Sequence, residues 1–195
     1  MALLRAATPS DVGPVLESEC VTLRAPQMSD YPAWAELRSS SREFLVPWEP
    51  LWAPDELSRS SFRRRIRHYL RDMREDAGYA FFVYCVRSGA LVGGVTLCNI
   101  RRGVTQSCTL GYWVGAQHAR QGFMTAAVRG IVPFVFNTLE LHRLEAACLP
   151  TNTASVRLLE RVGFQREGMA RRYLRINGDW RDHVLYALLE TDMRD

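Results

Sequence analysis

The chain has 195 residues, of which 47% are hydrophobic and 24% are charged. These values are ordinary for a globular protein, and the length predicts a single domain with a substantial core. The formal net charge of +4 is a mild basic excess that does not by itself indicate nucleic-acid binding. No apolar run approaches membrane-spanning length, so we expect no membrane partner.

The N-terminus and the cysteines point to an intracellular protein. Residues 1–15 lack a continuous apolar core and a small-residue cleavage pattern, so we expect no signal peptide and a cytoplasmic location. The five cysteines have no metal-ligand spacing, and four lie in apolar, strand-like runs. Buried reduced thiols are therefore expected, without a disulfide framework and without a metal.

The pattern of elements predicts a mixed α/β domain over 19–195, preceded by an N-terminal extension at 1–18. In chain order we predict strand Cys20–Arg24, helices Asp30–Ser39 and Asp55–Glu75, strands Tyr79–Arg87, Ala90–Asn99 and Gln106–Val114, helix Thr125–Leu139, strand Arg143–Leu149, helix Thr153–Val162, and strands Gln165–Ile176 and Asp179–Leu189. Asn177-Gly178 is a strong signal for a type I′ hairpin turn. This order predicts an α+β fold with a largely antiparallel sheet.

An aromatic, proline-rich segment, FLVPWEPLWAP at Phe44–Pro54, separates the first two predicted helices. Its three prolines make it a stiff loop rather than a regular element. Trp48 and Trp52 have two interpretations. They cap the core, or with Glu49 they form the wall of a substrate groove, since loops on a rigid scaffold often carry binding residues.

The second predicted helix is rich in arginine, with seven between Arg59 and Arg74. The simplest interpretation is a solvated helix face opposite an apolar stripe. The alternative is a contact surface for RNA or for an acidic partner.

The stretch around Gly122 has the pattern of an anion site. A strand ends at Val114, a polar connection with His118 and Arg120 follows, and a helical pattern begins just after Gly122. The free N–H groups and the dipole of a helix N-terminus both favour phosphate. The sequence at Gly122 matches neither GxGxxG nor a P-loop, so an ordinary strand–turn–helix remains an equal alternative.

Several motifs together resemble the GNAT acetyltransferase superfamily. They are AQHARQGFMTAAV at 116–128 and PTNTASVRLLERVGF at 150–164, and with the element order they extend the resemblance from about Leu23 to Leu189. Within the superfamily, FLVPWEP at 44–50, LHRLEA at 141–146 and YLRINGDWRDHVLYAL at 173–188 are similar to the ribosomal-protein-alanine N-acetyltransferases of the RimJ/RimL type, and to RimJ more than RimL.

The resemblance implies a sheet splayed at its central strands and acetyl-CoA as cosubstrate. The pantetheine arm would pair with the backbone at Val114, as in strand addition. The pyrophosphate would lie on the N–H groups of Arg120, Gln121, Gly122, Phe123, Met124 and Thr125. Two positions depart from the general loop pattern of the superfamily. Met124 fits the RimJ branch, whereas Ala119 removes one side-chain contact and leaves the backbone N–H groups.

The resemblance also implies an acid at the leaving thiolate. Asn152 and Ser155 lie three residues apart at a helix N-terminus and can face the same side. Ser155 is the implied catalytic residue, with Asn152 as a cofactor contact, and Tyr112 is a second candidate for a wall or an acid. The alternative is that Asn152 and Ser155 only cap the helix.

The implied reaction is direct transfer to an amine, in which positioning is the main contribution and no cysteine acts as nucleophile. The RimL type has a glutamate shortly before the final turn, but the matching position here is Leu174. Glu49 is therefore the candidate base, with Asp182 and Glu145 as alternatives. An equally good interpretation is that Glu49 binds the amine, beside Trp48 and Tyr112.

The expected function is acetyl-CoA-dependent acetylation of the N-terminal alanine of a ribosomal protein. One alternative is the same chemistry on a small amine or on lysine side chains, since fold and cofactor do not separate the substrates. Another is a ribosome- or RNA-associated module with a vestigial cofactor site and the Arg59–Arg74 helix as its contact. A monomer and a homodimer are equally compatible with the sequence.

Overall fold

Eight strands form one sheet in the computed structural model, which describes residues 13–193. The strands are β1 Val15–Ser18, β2 Val21–Arg24, β3 Tyr79–Cys85, β4 Leu91–Arg101, β5 Ser107–Val114, β6 Arg143–Cys148, β7 Gln165–Ile176 and β8 Asp179–Leu189. Their order across the sheet is β1-β2-β3-β4-β5-β6-β8-β7.

The centre of the sheet is splayed. All neighbouring strands are antiparallel except β5 and β6, which run parallel. The parallel pairing ends where Leu110 lies opposite Ala146. Beyond that point β5 continues beside β4 as far as Val114, whereas β6 continues beside β8 as far as Cys148. The predicted α+β class, largely antiparallel sheet and central splay are therefore confirmed.

Helices cover both faces of this sheet. In the described residues they are α1 Tyr31–Ser40, α2 Arg42–Leu45, α3 Arg59–Arg74, α4 Phe123–Pro133 and α5 Thr153–Val162. A π-helical turn, Phe134–Thr138, continues α4, and 3-10 turns occupy Met28–Asp30, Val46–Trp48, Ala116–His118 and Glu190–Met193. Within residues 13–193, none of the helices combines the length and the apolar character needed to cross a bilayer.

Two hydrophobic clusters form the core because adjacent strand residues point to opposite faces of a sheet. Phe81 belongs to the larger cluster, which α4 and α5 cover, and the next residue, Phe82, belongs to the smaller cluster, which α1 and α3 cover. The same alternation at the end of β5 packs Tyr112 against the larger cluster and Trp113 against the smaller one. The end of β5 is thus shared by both layers.

The closing hairpin and α5 have the predicted bounds. At the hairpin turn, Asn177 and Gly178 have φ values of 45° and 90°, and two positive values are what a type I′ turn requires. The predicted loop Phe44–Pro54 needs correction, since it contains the last two residues of α2 and a 3-10 turn at Val46–Trp48.

Two helices, α3 and α4, differ from their predicted bounds by two residues or more. α3 begins at Arg59 rather than Asp55 because Ser58 is the N-cap, and its Oγ accepts a hydrogen bond of 3.1 Å from the Ser61 N–H. α4 begins at Phe123 rather than Thr125. Its α-helical part ends at Pro133, which has no N–H for the ladder.

The strand β1 was not predicted. It lies inside the segment 1–18 that we assigned to an extension, and its four residues pair with β2 from Val15 opposite Arg24 to Ser18 opposite Val21. Residues 1–12 lie outside the described part of the chain, so the domain boundary stays a prediction.

The contact between α1 and the segment after β5 yields a first prediction. A Cβ placed on Gly115 would lie 2.3 Å from Leu37 Cδ1, and Leu37 is only 4% exposed. Gly115→Ala should therefore lower the free energy of unfolding by about 1–3 kcal/mol, the usual range for an overpacked core. Urea unfolding measures this, with Gly168→Ala as control, since a Cβ there meets no atom within 4 Å. Equal effects of the two substitutions would contradict the packing argument.

Candidate active site

The N-terminus of α4 is open on its outer side. Gly122, the N-cap, has a φ of +84°, a left-handed conformation that favours glycine. The first helical hydrogen bond runs from the Ala126 N–H to the Gly122 carbonyl, 3.0 Å, so the N–H groups of Phe123, Met124 and Thr125 precede it. A Cβ on Gly122 would meet nothing within 4 Å. This geometry leaves backbone donors available to an anion.

The side chains of this loop have different environments. Arg120 and Gln121 are exposed, and Gln121 Nε2 donates to the Gln117 carbonyl at 2.8 Å. Met124 is buried in the larger cluster at 6% exposure, so its side chain is part of the core. Phe123 is half-buried, packs against that cluster and meets His118 edge-on at 6.2 Å between ring centroids. At this loop, backbone N–H groups rather than side chains are therefore the donors available to an anion.

The splay between β5 and β6 adds a second set of backbone groups. From Gly111 to Val114, β5 pairs with β4 on one side and has no β6 partner on the other within the described residues. Because N–H and C=O groups alternate between the two edges of a strand, some of them face the gap. An extended ligand chain can occupy this edge as an added strand.

Tyr112 and Ser155 meet beside this gap. The Tyr112 hydroxyl and Ser155 Oγ are 2.6 Å apart and share a hydrogen bond, which joins the end of β5 to the first turn of α5. The Asn152 side chain accepts the Ser155 N–H at 3.1 Å, so Asn152 is the N-cap of α5. Asn152 therefore orients the helix turn that carries Ser155.

Burial controls the protonation of this group. It raises the pKa of Tyr112 well above its usual value, and the hydrogen bond with Ser155 offsets this in part. Burial also raises the pKa of the nearby Cys148 thiol, again opposed by Ser155. Burial raises the pKa of Cys108 to about 12. The pair thus holds neutral hydroxyls, and neither thiol is poised as a thiolate nucleophile.

Glu49 lies on the opposite face of the sheet, in a different group. Its carboxylate accepts two hydrogen bonds from Arg38, at 2.9 and 2.6 Å, and one from Trp52 Nε1 at 2.8 Å. Its carbonyl accepts the Asn177 N–H at 2.8 Å, which joins the aromatic segment to the tip of the closing hairpin. Trp52 is 8% exposed and Trp48 is 36% exposed. Of the two tryptophans, only Trp48 presents a substantial surface to an incoming ligand.

The alternative bases lie elsewhere. Glu145 is opposite Thr109, in the paired part of β5 and β6, and forms ion pairs with Arg101 at 2.8 Å and Arg143 at 2.9 Å. Asp182 accepts the Arg172 N–H at 2.8 Å. Both carboxylates are thus engaged in contacts of the strands that carry them. Among residues 13–193 no group of three or more metal-ligating side chains comes together.

The sequence analysis missed Arg38, which is 6% exposed. A signal was present: Trp34, Leu37, Arg38 and Ser41 have the spacing of one helix face, and all four are buried. A charged residue within an apolar helix stripe indicates a buried ion pair, because such a charge needs a partner.

Comparison with known proteins places this site in a family. Residues 21–165 match the model of the acetyltransferase (GNAT) domain. The chain is 35% identical to the protein named probable N-acetyltransferase YjcK of Bacillus subtilis (strain 168), over 91% of this chain and 98% of that protein. The chain therefore belongs to the GNAT family of acetyltransferases, and it is an N-acetyltransferase.

Several similar proteins have a named substrate or ligand. The chain is 33% identical to the [ribosomal protein uS5]-alanine N-acetyltransferase of Escherichia coli (strain K12), over 84% of this chain and 85% of that protein. The structure of Mycobacterium smegmatis RimJ in complex with CoA-disulfide superposes with a TM-score of 0.85 at 31% identity, covering 95% of this chain and 86% of that one. The structure of the ribosomal-protein-S5-alanine acetyltransferase of Vibrio fischeri superposes with a TM-score of 0.84 at 28% identity, covering 93% of this chain and 99% of that one.

The raised pKa of Tyr112 gives a prediction about alkaline stability. In the unfolded chain a tyrosine ionises near pH 10, whereas burial keeps Tyr112 protonated in the folded state. Its contribution is fully present below that pH and is lost as pH rises, by up to about 1.4 kcal/mol per pH unit. Tyr112→Phe should therefore reduce the loss of stability between about pH 9.5 and 11. Urea unfolding at several pH values measures the slope.

The control for this experiment is Tyr173→Phe, in β7, because Tyr173 is 48% exposed. In this variant the free energy of unfolding should fall with pH as steeply as in the unchanged protein. A Tyr112→Phe protein that loses stability with pH as steeply as this control would refute the assignment.

Proposed function

We propose that this protein transfers the acetyl group of acetyl-CoA to the α-amine of an N-terminal alanine in a ribosomal protein. The observation that carries the proposal is the Tyr112–Ser155 hydrogen bond at the open end of the splayed strands. The identity to the uS5-alanine enzyme, over most of both chains, supports the alanine acceptor.

The cofactor fits the residues present. In this proposal the N–H groups from Arg120 to Thr125 hold the pyrophosphate, and the free edge of β5 near Val114 holds the pantetheine arm. The open space over Gly122 and the missing β6 partner beyond Leu110 support this placement. When bound, acetyl-CoA supplies an activated thioester. Asn152 acts by fixing the turn that carries Ser155, rather than as a side-chain ligand.

Ser155 and Tyr112 are the proposed acid of the reaction. Their hydroxyls share one hydrogen bond, so a proton that Ser155 Oγ gives to the departing thiolate can be replaced from the Tyr112 hydroxyl. The proton that the amine loses to water on forming the amide balances this step and restores the Tyr112 hydroxyl. The raised pKa of Tyr112 keeps that proton in place before transfer. N–H groups of β5 at the gap would bind a developing oxyanion.

The acceptor is proposed to enter over Trp48 and Glu49, on the face of the sheet opposite Ser155. An α-amine has a pKa of about 7.7–8.0, so part of it is neutral near pH 7 and a strong base is not required. Glu49 is proposed as a residue of this acceptor site. Its three accepted hydrogen bonds favour a positional role over that of the general base.

The arginine-rich helix α3 has a mixed surface. Arg64 pairs with Asp55 and Arg65 pairs with Glu56. Arg63, Arg67 and Arg74 are exposed. A contact with ribosomal RNA through this face, in the cytoplasm, is part of the proposal. Loss of ribosome co-sedimentation in Arg63→Glu/Arg67→Glu, with unchanged peptide turnover, would support it, and retained co-sedimentation would argue against it.

The substrate class is tested by acetyl-CoA turnover on short peptides that differ only in their first residue, Ala, Ser or Met. We expect the highest kcat/KM for the alanine peptide. An N-terminally blocked peptide with one lysine, and a small primary amine, represent the alternative acceptors. Turnover confined to either of these would overturn the N-terminal proposal. A vestigial site predicts that acetyl-CoA does not raise the Tm, because a ligand of the native state must stabilise it.

Ser155→Ala tests the proposed acid. It should lower kcat by about tenfold to hundredfold, while the KM for acetyl-CoA changes by less than about threefold. Thr153→Ala is the matched control, since Thr153 is an exposed residue of the same helix turn. Because the two hydroxyls act as one unit, Ser155→Ala/Tyr112→Phe should be little slower than Ser155→Ala alone. An unchanged kcat for Ser155→Ala would remove Ser155 from the chemistry.

A further inference from the structure

Arg38 is the centre of a buried group that no step of the proposed reaction uses. It lies in α1 at 6% exposure, and its guanidinium donates to both oxygens of Glu49. The guanidinium carbon is 4.5 Å from the ring centroid of Trp52 and 5.1 Å from that of Trp113. The cation therefore lies against two indole rings and a carboxylate.

These contacts come from three separate parts of the chain. Arg38 belongs to α1, Glu49 and Trp52 belong to the aromatic segment 44–54, and Trp113 belongs to β5. Trp113 directly follows Tyr112, whose hydroxyl meets Ser155 on the other face of the sheet. Arg38 thus ties the aromatic segment to the strand that carries the proposed acid.

Ser41, the residue directly after α1, makes a second connection, to the loop on the cofactor side. Ser41, 1% exposed, accepts the Ala116 N–H at 2.9 Å through its Oγ. Ala116 opens the connection from β5 to α4, so one end of α1 contacts both the aromatic segment and the loop that precedes Gly122. The distance between the two sides of the site is therefore set from α1.

A stability role does not account for Arg38. Burying an ion pair costs desolvation energy that the pair often fails to recover. Here Arg38 Nε is in addition buried without a hydrogen-bond partner in residues 13–193. What a bidentate, stacked guanidinium provides is a fixed geometry.

We propose that Arg38 is a positioning residue for the acceptor. Through Glu49 and Trp52 it fixes the segment 44–54, and with it Trp48, at a set distance from the end of β5. This inference rests on the proposed acceptor side of the site. In it, Glu49 is the counter-ion of Arg38 and orients the acceptor wall, and it does not remove the proton from the amine.

The test uses two variants. Arg38→Met keeps a long side chain and removes the guanidinium, and Arg38→Lys keeps the charge but cannot donate to both Glu49 oxygens with the planar, two-pronged geometry of a guanidinium. Both should raise the KM for the best acceptor of the peptide and amine panel by about tenfold, with kcat and the KM for acetyl-CoA within about threefold. Arg42→Met is the matched control. Arg42 is exposed and lies 5.2 Å from the ring of the same Trp52, without a hydrogen bond to Glu49 in the described structure.

Arg38→Met leaves the Glu49 carboxylate partly buried and unpaired, and this can prevent folding. The double variant Arg38→Met/Glu49→Gln removes both charges and should show the same rise in acceptor KM. Hydrogen exchange of the segment 44–54, measured without any substrate, should be faster in this double variant than in the unchanged protein and in Arg42→Met. This measurement does not depend on the identity of the acceptor, so it separates failure of the inference from failure of the proposed function.

Glu49→Gln decides between positioning and base catalysis. Positioning predicts a raised acceptor KM and a pH profile of kcat with the shape of the unchanged protein. If kcat of Glu49→Gln no longer rises with pH while the acceptor KM is unchanged, Glu49 is the base and the proposal is overturned. Unchanged exchange of the segment 44–54 in the double variant would also overturn it.

Discussion

The divergence of β5 from β6 is the constraint on which the site depends. β5 is held by β4 along its whole length, and β6 is held by β8, so neither strand is free to close the gap beyond Leu110. Each unpaired backbone group that is buried costs about 1–3 kcal/mol unless a ligand or water satisfies it. Beyond Leu110 β5 has a free edge in the described residues, and an extended ligand that pairs with this edge would gain hydrogen bonds on binding.

The alternation of side chains at the end of β5 connects this gap to both layers of the domain. Tyr112 turns to the layer of α4 and α5, where it meets Ser155, and Trp113 turns to the layer of α1 and α3, where it meets Arg38. Two consecutive residues of β5 thus contact the two helical layers on opposite faces of the sheet, at the same position along the strand. A shift of β5 by one residue would exchange the faces and separate both contacts, so the register with β4 is as important to the site as the side chains themselves.

Local signals in the sequence were enough for strands β2 to β8 and for the closing hairpin turn, since alternation and the Asn177-Gly178 pair act within a few residues. The start of α4 depends on Gly122, whose left-handed backbone becomes apparent only in three dimensions. β1 was not predicted because its four residues, two apolar followed by two polar, do not show the alternation typical of a strand. Tyr112 and Ser155 were each identified, but their contact joins positions 43 residues apart, and no local pattern encodes such a distance. For Glu49 the sequence did not decide between the role of general base and that of a residue of the substrate groove. Its partner Arg38 was missed because the other residues of that helix face are typical of a buried core.

Arg38 and Tyr112 show two different uses of burial in one site. Burial of Tyr112 removes water from a group that stays neutral, so its effect is a raised pKa of the hydroxyl, which shares a hydrogen bond with Ser155. Burial of Arg38 removes water from a group that cannot shed its charge, so the surroundings must supply a carboxylate and two ring faces in fixed places. In the proposed reaction the first arrangement serves proton transfer, and the second fixes the position of the segment 44–54. Ser41, the residue directly after α1, holds the Ala116 N–H separately, and this contact does not involve Arg38. The end of α1 and the residue after it thus contact both the proposed acceptor wall, through Arg38 and Glu49, and the proposed cofactor loop, through Ser41.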